Sequence, residues 1–388
     1  MPPYLAGRVE ERAEFERLLK QEVILENLVL TGLRGLGKTV LLDSLRPIAI
    51  GQGWNWVGSD LSEVSSLTEQ NMATRILTDL SVVTSSIVIG SDEIKEHLFA
   101  KETITRTHTL SFGMLVSVYD RTPGLNADKL KRVLELVWEH IRPTGKRGVV
   151  FAYDEAQNVA DHASTNEYPL SLLLDVFQSI QKKGIPFLLV LTGLPTLFPK
   201  LVEARTFSER MFRVVFLDRL NEADSRDAIL KPIGDSGHPL MFDSQSVSMI
   251  FADSGGYPYF IQFICKESFD VFVQRVLLDE IPSVPREEII RKLDSDFFAG
   301  RWARATDRQR ELLWVITCLE NCDGEFTVQE IVQASKRHLE KPFSASHVNQ
   351  ILATLAANGL IYKNRHGKYS LAVPLLDRYI KRQGRPGQ

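Results

Sequence analysis

Three cysteines in 388 residues, Cys265, Cys318 and Cys322, are too few for a disulfide framework and stand at no zinc-ligand spacing. They are read as packing residues. No run of 18 apolar residues occurs, so no transmembrane helix and no membrane partner are expected. The opening residues lack the charged and apolar blocks of a secretory signal. A reducing, cytoplasmic location fits these absences. An excess of one charge is missing too: 46 Lys and Arg stand against 49 Asp and Glu, a net charge of −3, so the chain as a whole is not a polycation. What remains is an ordinary globular composition, 44% hydrophobic and 24% charged, long enough for two or three domains.

One stretch organises the rest. Gly32-Leu33-Arg34-Gly35-Leu36-Gly37-Lys38-Thr39 reads G-x-x-x-x-G-K-T, a phosphate-binding loop. The apolar run Asn27–Thr31 before it suits a buried strand, and Val40, Leu41, Leu42 and Leu45 after it suit the packed side of a helix. Glycines at Gly32, Gly35 and Gly37 let the backbone turn its N–H groups onto phosphate oxygens, and the helix start adds its positive end. In that context Lys38 reaches the β- and γ-phosphates of ATP and Thr39 holds Mg²⁺.

A second apolar run, Gly148–Tyr153, ends in Asp154-Glu155. Two carboxylates at the carboxyl end of a buried parallel strand stand where a Walker B motif belongs. Asp154 is expected on the metal, with Glu155 as the general base that activates water. A kinase using the same loop fits this pair less well. Phe187–Gly193 is a third buried strand, with Thr192 near its end. Trp54–Val57 reads as a further strand and residues 67–82 as a helix. Between 83 and 125, Ile104, Leu110, Phe112, Met114, Val116 and Val118 all fall on even positions. That period predicts strands or an inserted hairpin.

The C-terminal residues form a separate pattern. Leu312, Leu313, Val315 and Ile316 mark one helix, Thr327–Glu330 a capping box opening a second, and Ser344–His347 the start of a third that ends at Asn358-Gly359. Leu360–Tyr362 and Tyr369–Leu371 then read as a hairpin. Residues 335–388 hold ten Lys and Arg against two acids, Glu340 and Asp377, a net charge of +8; the whole chain is −3, which leaves −11 upstream. A basic module on an acidic body points to double-stranded DNA. Ser346, His347, Asn349 and Gln350 would read bases, and cations of the wing (Lys363, Arg365, Lys368) and tail (Lys381, Arg382, Arg385) would touch phosphates.

These motifs together resemble AAA+ P-loop ATPases of the origin-initiator type and the related STAND and archaeal-type ATPases. The resemblance rests on Tyr4–Glu10 with the Glu-rich helix after it, on the two nucleotide motifs, and on Gly255-Gly256-Tyr257-Pro258. It implies an α/β P-loop NTPase domain over residues 1–219 with a parallel sheet, a helical lid over 220–300, and a winged-helix domain over 301–388. It also implies that Gly7, Arg8 and Pro258 lie near the adenine and that Thr192 is the sensor 1 residue. Arg210, with Arg205 and Arg213 as rivals, would be an arginine finger reaching a neighbouring subunit in a homo-oligomer. No arginine lies between Arg226 and Arg275, so the sensor 2 arginine of the initiators has no counterpart there. The activity implied is an ATP/ADP switch, DNA-associated in the initiator reading. In the STAND reading the winged helix docks on protein instead.

Overall fold

The computed structural model describes residues 4–95, 103–235, 241–278, 285–365 and 367–386. Two compact units divide the chain. The first is built from Arg8–Thr31 and Lys38–Phe216. The second comprises the N-terminal residues through Gly7, the loop Gly32–Gly37, and Leu217–Gln388.

In chain order the first unit runs α1 (Val9–Leu19), β1 (Asn27–Thr31), α2 (Lys38–Gly51), β2 (Trp54–Val57), α3 (Glu69–Thr84), β3 (Val88–Lys95), β4 (Thr103–Thr109), α4 (Phe112–Arg121), α5 (Asn126–Ile141), β5 (Gly148–Tyr153), α6 (Pro169–Lys182), β6 (Phe187–Gly193), α7 (Leu197–Ala204), α8 (Ser208–Met211) and β7 (Phe212–Phe216). Five strands make one wholly parallel sheet in the order β2-β5-β6-β1-β7. Strands β1, β5 and β6 are buried along their whole length. That is why they read as continuous apolar runs rather than as alternating ones. Phe151 on β5 packs edge-on against Phe177 of α6, with ring centroids 4.9 Å apart, and meets Phe187 of β6 at 5.4 Å.

The amino end of the sheet is tied by amides. Asn27 Oδ1 accepts from the Leu189 N–H and from Gln181 Nε2, both at 2.8 Å, while Asn27 Nδ2 donates to Gln181 Oε1 at 3.1 Å. Gln181 Nε2 also reaches the Phe187 carbonyl at 2.7 Å. This fixes β1, β6 and α6 at one end and leaves the opposite, carboxyl ends of the strands to carry chemistry.

The inserted segment is half as expected. Strands β3 and β4 form an antiparallel hairpin. The period of two beyond it, however, is not a strand: Phe112, Met114, Val116 and Val118 lie on α4. There Leu115 and Tyr119, four apart, are the buried positions, while Phe112 and Met114 are exposed. Val116 and Val118 are only partly buried against the core. Valines and aromatics on a helix flank imitate a strand pattern when the buried stripe is narrow. The helix expected at 67–82 is α3, set two residues later by Thr68, whose Oγ1 accepts the Asn71 N–H at 3.1 Å.

The second unit continues with α9 (Glu222–Asp235), α10 (Ser244–Ser254), α11 (Pro258–Leu277), α12 (Arg286–Leu293), a π-helical turn Asp294–Ala299, α13 (Gly300–Ala303), α14 (Asp307–Thr317), β8 (Phe326–Thr327), α15 (Val328–His338), α16 (Ala345–Ala357), β9 (Ile361–Arg365), β10 (Lys368–Leu371) and α17 (Leu376–Gln383). Asn221 caps α9, its Oδ1 accepting the Asp224 N–H at 2.8 Å. Helices α9 to α12 share a core that includes Leu220, Ile229, Ile250 and Ile264. The C-terminal elements enclose another, including Leu312, Ile331, Leu352 and Ile380. The capping box at Thr327 and Glu330 and the cap at Ser344 are present as read. Strand β8, two residues long and too short to read, completes an antiparallel sheet β8-β10-β9.

The cations of the basic tail have partners within their own unit. Arg378 donates to the Ala252 carbonyl at 2.6 Å. Arg382 grips the Asp294 carboxylate through both Nε and Nη2. Arg385 lies over the Trp314 ring, 5.9 Å from its centre, and Lys381 is 3.8 Å from Asp377. The tail folds as helix α17, buries Leu376, Tyr379 and Ile380, and holds its cations against its own unit. The Arg365 side chain lies outside the described residues. Lys336, Arg337, Lys341 and Lys363 are exposed, as are Ser346, Asn349 and Gln350 on α16.

Candidate functional site

In the first unit the chemistry gathers where β5 and β6 end and α2 begins. Lys38 and Thr39 open α2. The Thr39 hydroxyl donates to Asp154 Oδ2 at 2.5 Å, and Asp154 Oδ1 accepts the Glu155 N–H at 2.7 Å. Asp154 is itself anchored beyond β2: its N–H donates to the Ser59 carbonyl at 3.2 Å, and its carbonyl accepts the Leu61 N–H at 2.9 Å. Burial pushes the Asp154 carboxyl above the usual range. The bonds from Thr39 and the Glu155 N–H hold it down, and the charges of Glu155 and Asp60 push it up again. A desolvated carboxylate beside a hydroxyl suits a hard cation. Among the described residues no group of three or more His, Cys, Asp or Glu could hold a metal. Mg²⁺ fits here, because it takes one or two protein oxygens and completes its octahedron with water and phosphate.

Glu155 has φ 51°, a left-handed backbone that a non-glycine residue adopts at a cost of about 1 kcal/mol or more and that clusters at functional sites. The sharp exit from β5 turns the chain into a short 3₁₀ segment, Ala156–Asn158, carrying Gln157. Gln157 Nε2 donates to the Glu155 carboxylate, and Gln157 Oε1 accepts the Leu194 N–H at 3.0 Å, one residue past β6. Lys200 of α7 donates to the Gln157 carbonyl at 2.7 Å, and burial lowers its pKa. The sequence reading assigned no role to Gln157 or Lys200. Gln157 had a signal, an amide two residues beyond the acid pair; Lys200 had none.

Thr192 is fully buried in β6, and its hydroxyl, like that of Thr31 in β1, finds no hydrogen-bond partner among the described residues. The two strands are paired here, Leu30 opposite Thr192 and Thr31 opposite Gly193. Of the three arginines considered as a finger, Arg205 forms a two-pronged pair with Asp175 at 2.8 and 2.7 Å, and Arg213 lies 3.3 Å from Glu14. Arg210 is exposed on α8 and has no ion pair among the described residues. Arg8 is buried, with φ 66°, and donates to Glu11 at 3.0 Å.

The second unit supplies the loop. The Tyr259 N–H donates to the Gly35 carbonyl at 3.1 Å. Gly35 has φ 81°, and a Cβ there would come 3.1 Å from Tyr259 Cβ, so both backbone and space require glycine. At Gly32 a Cβ would sit 2.9 Å from the Leu217 carbonyl. Pro258 begins α11 directly after Gly255-Gly256-Tyr257, and the Gly256 carbonyl accepts the Leu220 N–H at 2.8 Å. Gly7 lies against Leu220 and Asp224. Gly7, Gly32, Gly35 and Pro258 therefore belong to the second unit, while Thr39 on α2, Asp154 and Glu155 just past β5, and Thr192 on β6 belong to the first.

A parallel sheet with β6 between the loop strand and the acid strand is shared with known ATPases. The structure is similar to a Walker-type ATPase of Pyrococcus abyssi, with a TM-score of 0.59 and 15% identity over 97% of this chain and 96% of that one. It is also similar to the ORC2 protein of Aeropyrum pernix. The ADP form gives a TM-score of 0.55 and the ADPNP–ADP complexes 0.52, each at 14% identity over 99% of this chain and 96% of that one. The chain has the fold of these ATPases. That fold is the AAA+-like P-loop architecture expected from the sequence. Residues 295–380 match a family described as a domain of unknown function (DUF8462). No curated protein matches the chain. Among the described residues, no helix is long and apolar enough to cross a membrane.

Proposed function

We propose that the protein binds ATP with Mg²⁺ and hydrolyses it, and that this cycle switches a DNA-associated assembly. The observation that carries the reading is the contact of Thr39 with Asp154 beside a Glu155 carboxylate held by Gln157. Lys38 and the N–H groups of Gly32–Gly37 bind the phosphates. Thr39 and Asp154 hold the metal, which supplies charge neutralisation at the phosphates. Glu155 takes the proton of the attacking water, with Gln157 fixing its carboxylate. The Thr192 hydroxyl, buried and without a hydrogen-bond partner among the described residues, is assigned as the sensor 1 group for the water or the terminal phosphate. Gly7, Arg8 and Pro258 border the base, and Arg210 serves a neighbouring copy. The nucleotide states of the Aeropyrum pernix protein, an ADP form and ADPNP–ADP complexes, support the choice of ligand.

Residues 301–388 act as a winged helix, with 220–300 as the lid and 1–219 as the ATPase domain. The helix–strand–helix–helix–hairpin order and the exposed Ser346, Asn349 and Gln350 of α16 support duplex DNA as its partner. One observation favours the STAND-like reading, in which the module docks on protein: Arg378 and Arg382 are already engaged within the unit.

Calorimetric titration tests the nucleotide site. Lys38→Ala loses most ATP affinity. Glu155→Gln still binds ATP, but its turnover falls about 100-fold or more. Equal turnover by Glu155→Gln and the parent would overturn the general-base role. For DNA, fluorescence anisotropy of a duplex should show affinity falling with salt. Replacing Lys363 and Lys368 should flatten the log–log slope by about 2. An absence of duplex binding at low salt by the intact protein would select the protein-docking reading.

A further inference from the structure

The buried stripe of α3 includes a carboxylate. Met72, Ile76, Asp79 and Leu80 follow one another on it at helical spacing, and Asp79 is 3% exposed where an apolar residue would pack. Arg75, one turn earlier, grips that carboxylate twice: its Nε donates to Oδ2 at 3.1 Å and its Nη2 to Oδ1. Burial pushes the Asp79 carboxyl up, and the bonds from Arg75 hold it down. An enclosed ion pair is a weak source of stability, because desolvation offsets the attraction. What this pair supplies is direction.

Asp79 is turned toward the exit of β2, where its Oδ2 also accepts the Ser59 hydroxyl at 3.4 Å. Ser59 belongs to a segment laid along the end of β5. Gly58 has φ 135°, and a Cβ there would fall 1.8 Å from the Ala152 carbonyl oxygen, so the two backbones meet with no room for a side chain. Just beyond, the Ser59 carbonyl accepts the Asp154 N–H at 3.2 Å, and the Leu61 N–H donates to the Asp154 carbonyl at 2.9 Å. Tyr153, the residue before Asp154, is fully buried. Its hydroxyl forms no hydrogen bond among the described residues, yet after burial the Asp79 charge is what raises its pKa most, so the two groups are electrostatic neighbours. Asp79 thus stands behind Asp154, against the residue that precedes it in the chain and the residue that holds its N–H.

We propose that Asp79 is a positioning residue for the metal carboxylate: fixed by Arg75, it anchors Ser59, and through the Ser59 carbonyl it sets the backbone of Asp154 so that the side chain meets Thr39. The proposal rests on the Mg²⁺–nucleotide reading above and adds to it residues that touch neither metal nor nucleotide. Loss of the anchor leaves phosphate binding by the glycine loop in place and weakens the part of the affinity that the metal contributes.

The test is calorimetric titration of the full-length protein with a non-hydrolysable ATP analogue, in Mg²⁺ and in EDTA. The readout is the rise in affinity that Mg²⁺ produces. Ser59→Ala removes the link and leaves the Arg75 pair intact, while Asp79→Leu removes the anchor itself. Each should cut the Mg²⁺ effect about tenfold and change affinity in EDTA less than about twofold. Asp79→Asn, which keeps an acceptor for Ser59, should recover part of the Mg²⁺ effect. In nucleotide-free protein, hydrogen exchange of the Asp154 amide should quicken about tenfold in Asp79→Leu, and unchanged exchange overturns the proposal. An unchanged Mg²⁺ effect overturns it too, as does an equal loss in both buffers, which a packing defect would give. So does a further loss when Asp79→Leu is added to Asp154→Asn, because an effect carried by Asp154 ends with its carboxylate. If Asp79→Leu does not fold by circular dichroism, Ser59→Ala decides by the same criteria. A Mg²⁺ effect that is lost in Asp154→Asn and kept in Ser59→Ala and Asp79→Leu sinks this inference alone. A parent that binds no analogue, or gains nothing from Mg²⁺, sinks the nucleotide reading, and this one with it.

Discussion

Replacing Asn27 by Leu should loosen the central sheet by an amount set by its hydrogen bonds. Asn27 is fully buried at the start of β1. The substitution keeps the number and branching of side-chain heavy atoms but removes an acceptor shared by the Leu189 N–H and Gln181 Nε2, and a donor to Gln181 Oε1 and the Met211 carbonyl. Gln181 Nε2 retains the Phe187 carbonyl; the Leu189 N–H and Gln181 Oε1 each lose their Asn27 partner. At about 1–3 kcal/mol for each of the two orphaned groups, less about 1 kcal/mol returned by the buried methyls, the net loss is about 1–5 kcal/mol. The assay is native-state hydrogen exchange of the Leu189 amide, whose protection should fall about 5- to 5,000-fold. Asn27→Leu combined with Gln181→Leu should cost less than the two singles together, since the partners are removed as a pair. Protection within about threefold of the parent would refute the assignment of this network as the tie between β1, β6 and α6.

Arg210→Ala should keep ATP binding and lower turnover, and the parent's specific activity should rise with protein concentration, because a finger acts across subunits. The loss could approach the roughly 10³-fold end of the range for such arginines. Steady-state assays over a dilution series check this, and concentration-independent turnover untouched by Arg210→Ala would remove the finger. Burial pushes the Cys265 thiol up to about 12, so at pH 8 about one molecule in ten thousand carries its thiolate. Iodoacetamide at pH 8 should therefore label the exposed Cys318 first and leave Cys265 unmodified until denaturant is added. Mass spectrometry reads the order, and equal labelling rates would contradict the raised pKa of the Cys265 thiol.

The strand–loop–helix at Asn27–Gly51 and the strand ending in Asp154-Glu155 were legible because their physics is local. A glycine loop between an apolar strand and a helix, and two acids at the end of another apolar run, need only neighbours in sequence to be recognised. Gln157 and Lys200 were not, because their roles come from the ends of β6 and α7 meeting the turn after β5. No spacing encodes that meeting. The mistaken strand at Phe112–Val118 has a different cause. Only Leu115 and Tyr119 of α4 are fully buried, so the helical period rests on two residues and the flanking Phe, Met and Val dominate the pattern.

The charge count of the C-terminal module and the charge it presents are different quantities. Ten cations after residue 335 do make the C-terminal module basic, but charge in sequence is not charge available to a ligand. Arg378 and Arg382 satisfy a backbone carbonyl and Asp294, and Arg385 covers Trp314. Removing any of these cations to bind phosphate would leave its present partner unpaired, so on the proposed DNA reading they would contribute little affinity and more to fixing α17. The open cations are instead Lys336, Arg337, Lys341 and Lys363, on α15, the loop before α16, and the hairpin. They come from the elements that flank the exposed Asn349 and Gln350 of α16. On the DNA reading proposed above, a duplex seated on α16 would meet these cations rather than the tail, as a compact reader of one groove would and a helix with a trailing basic arm would not.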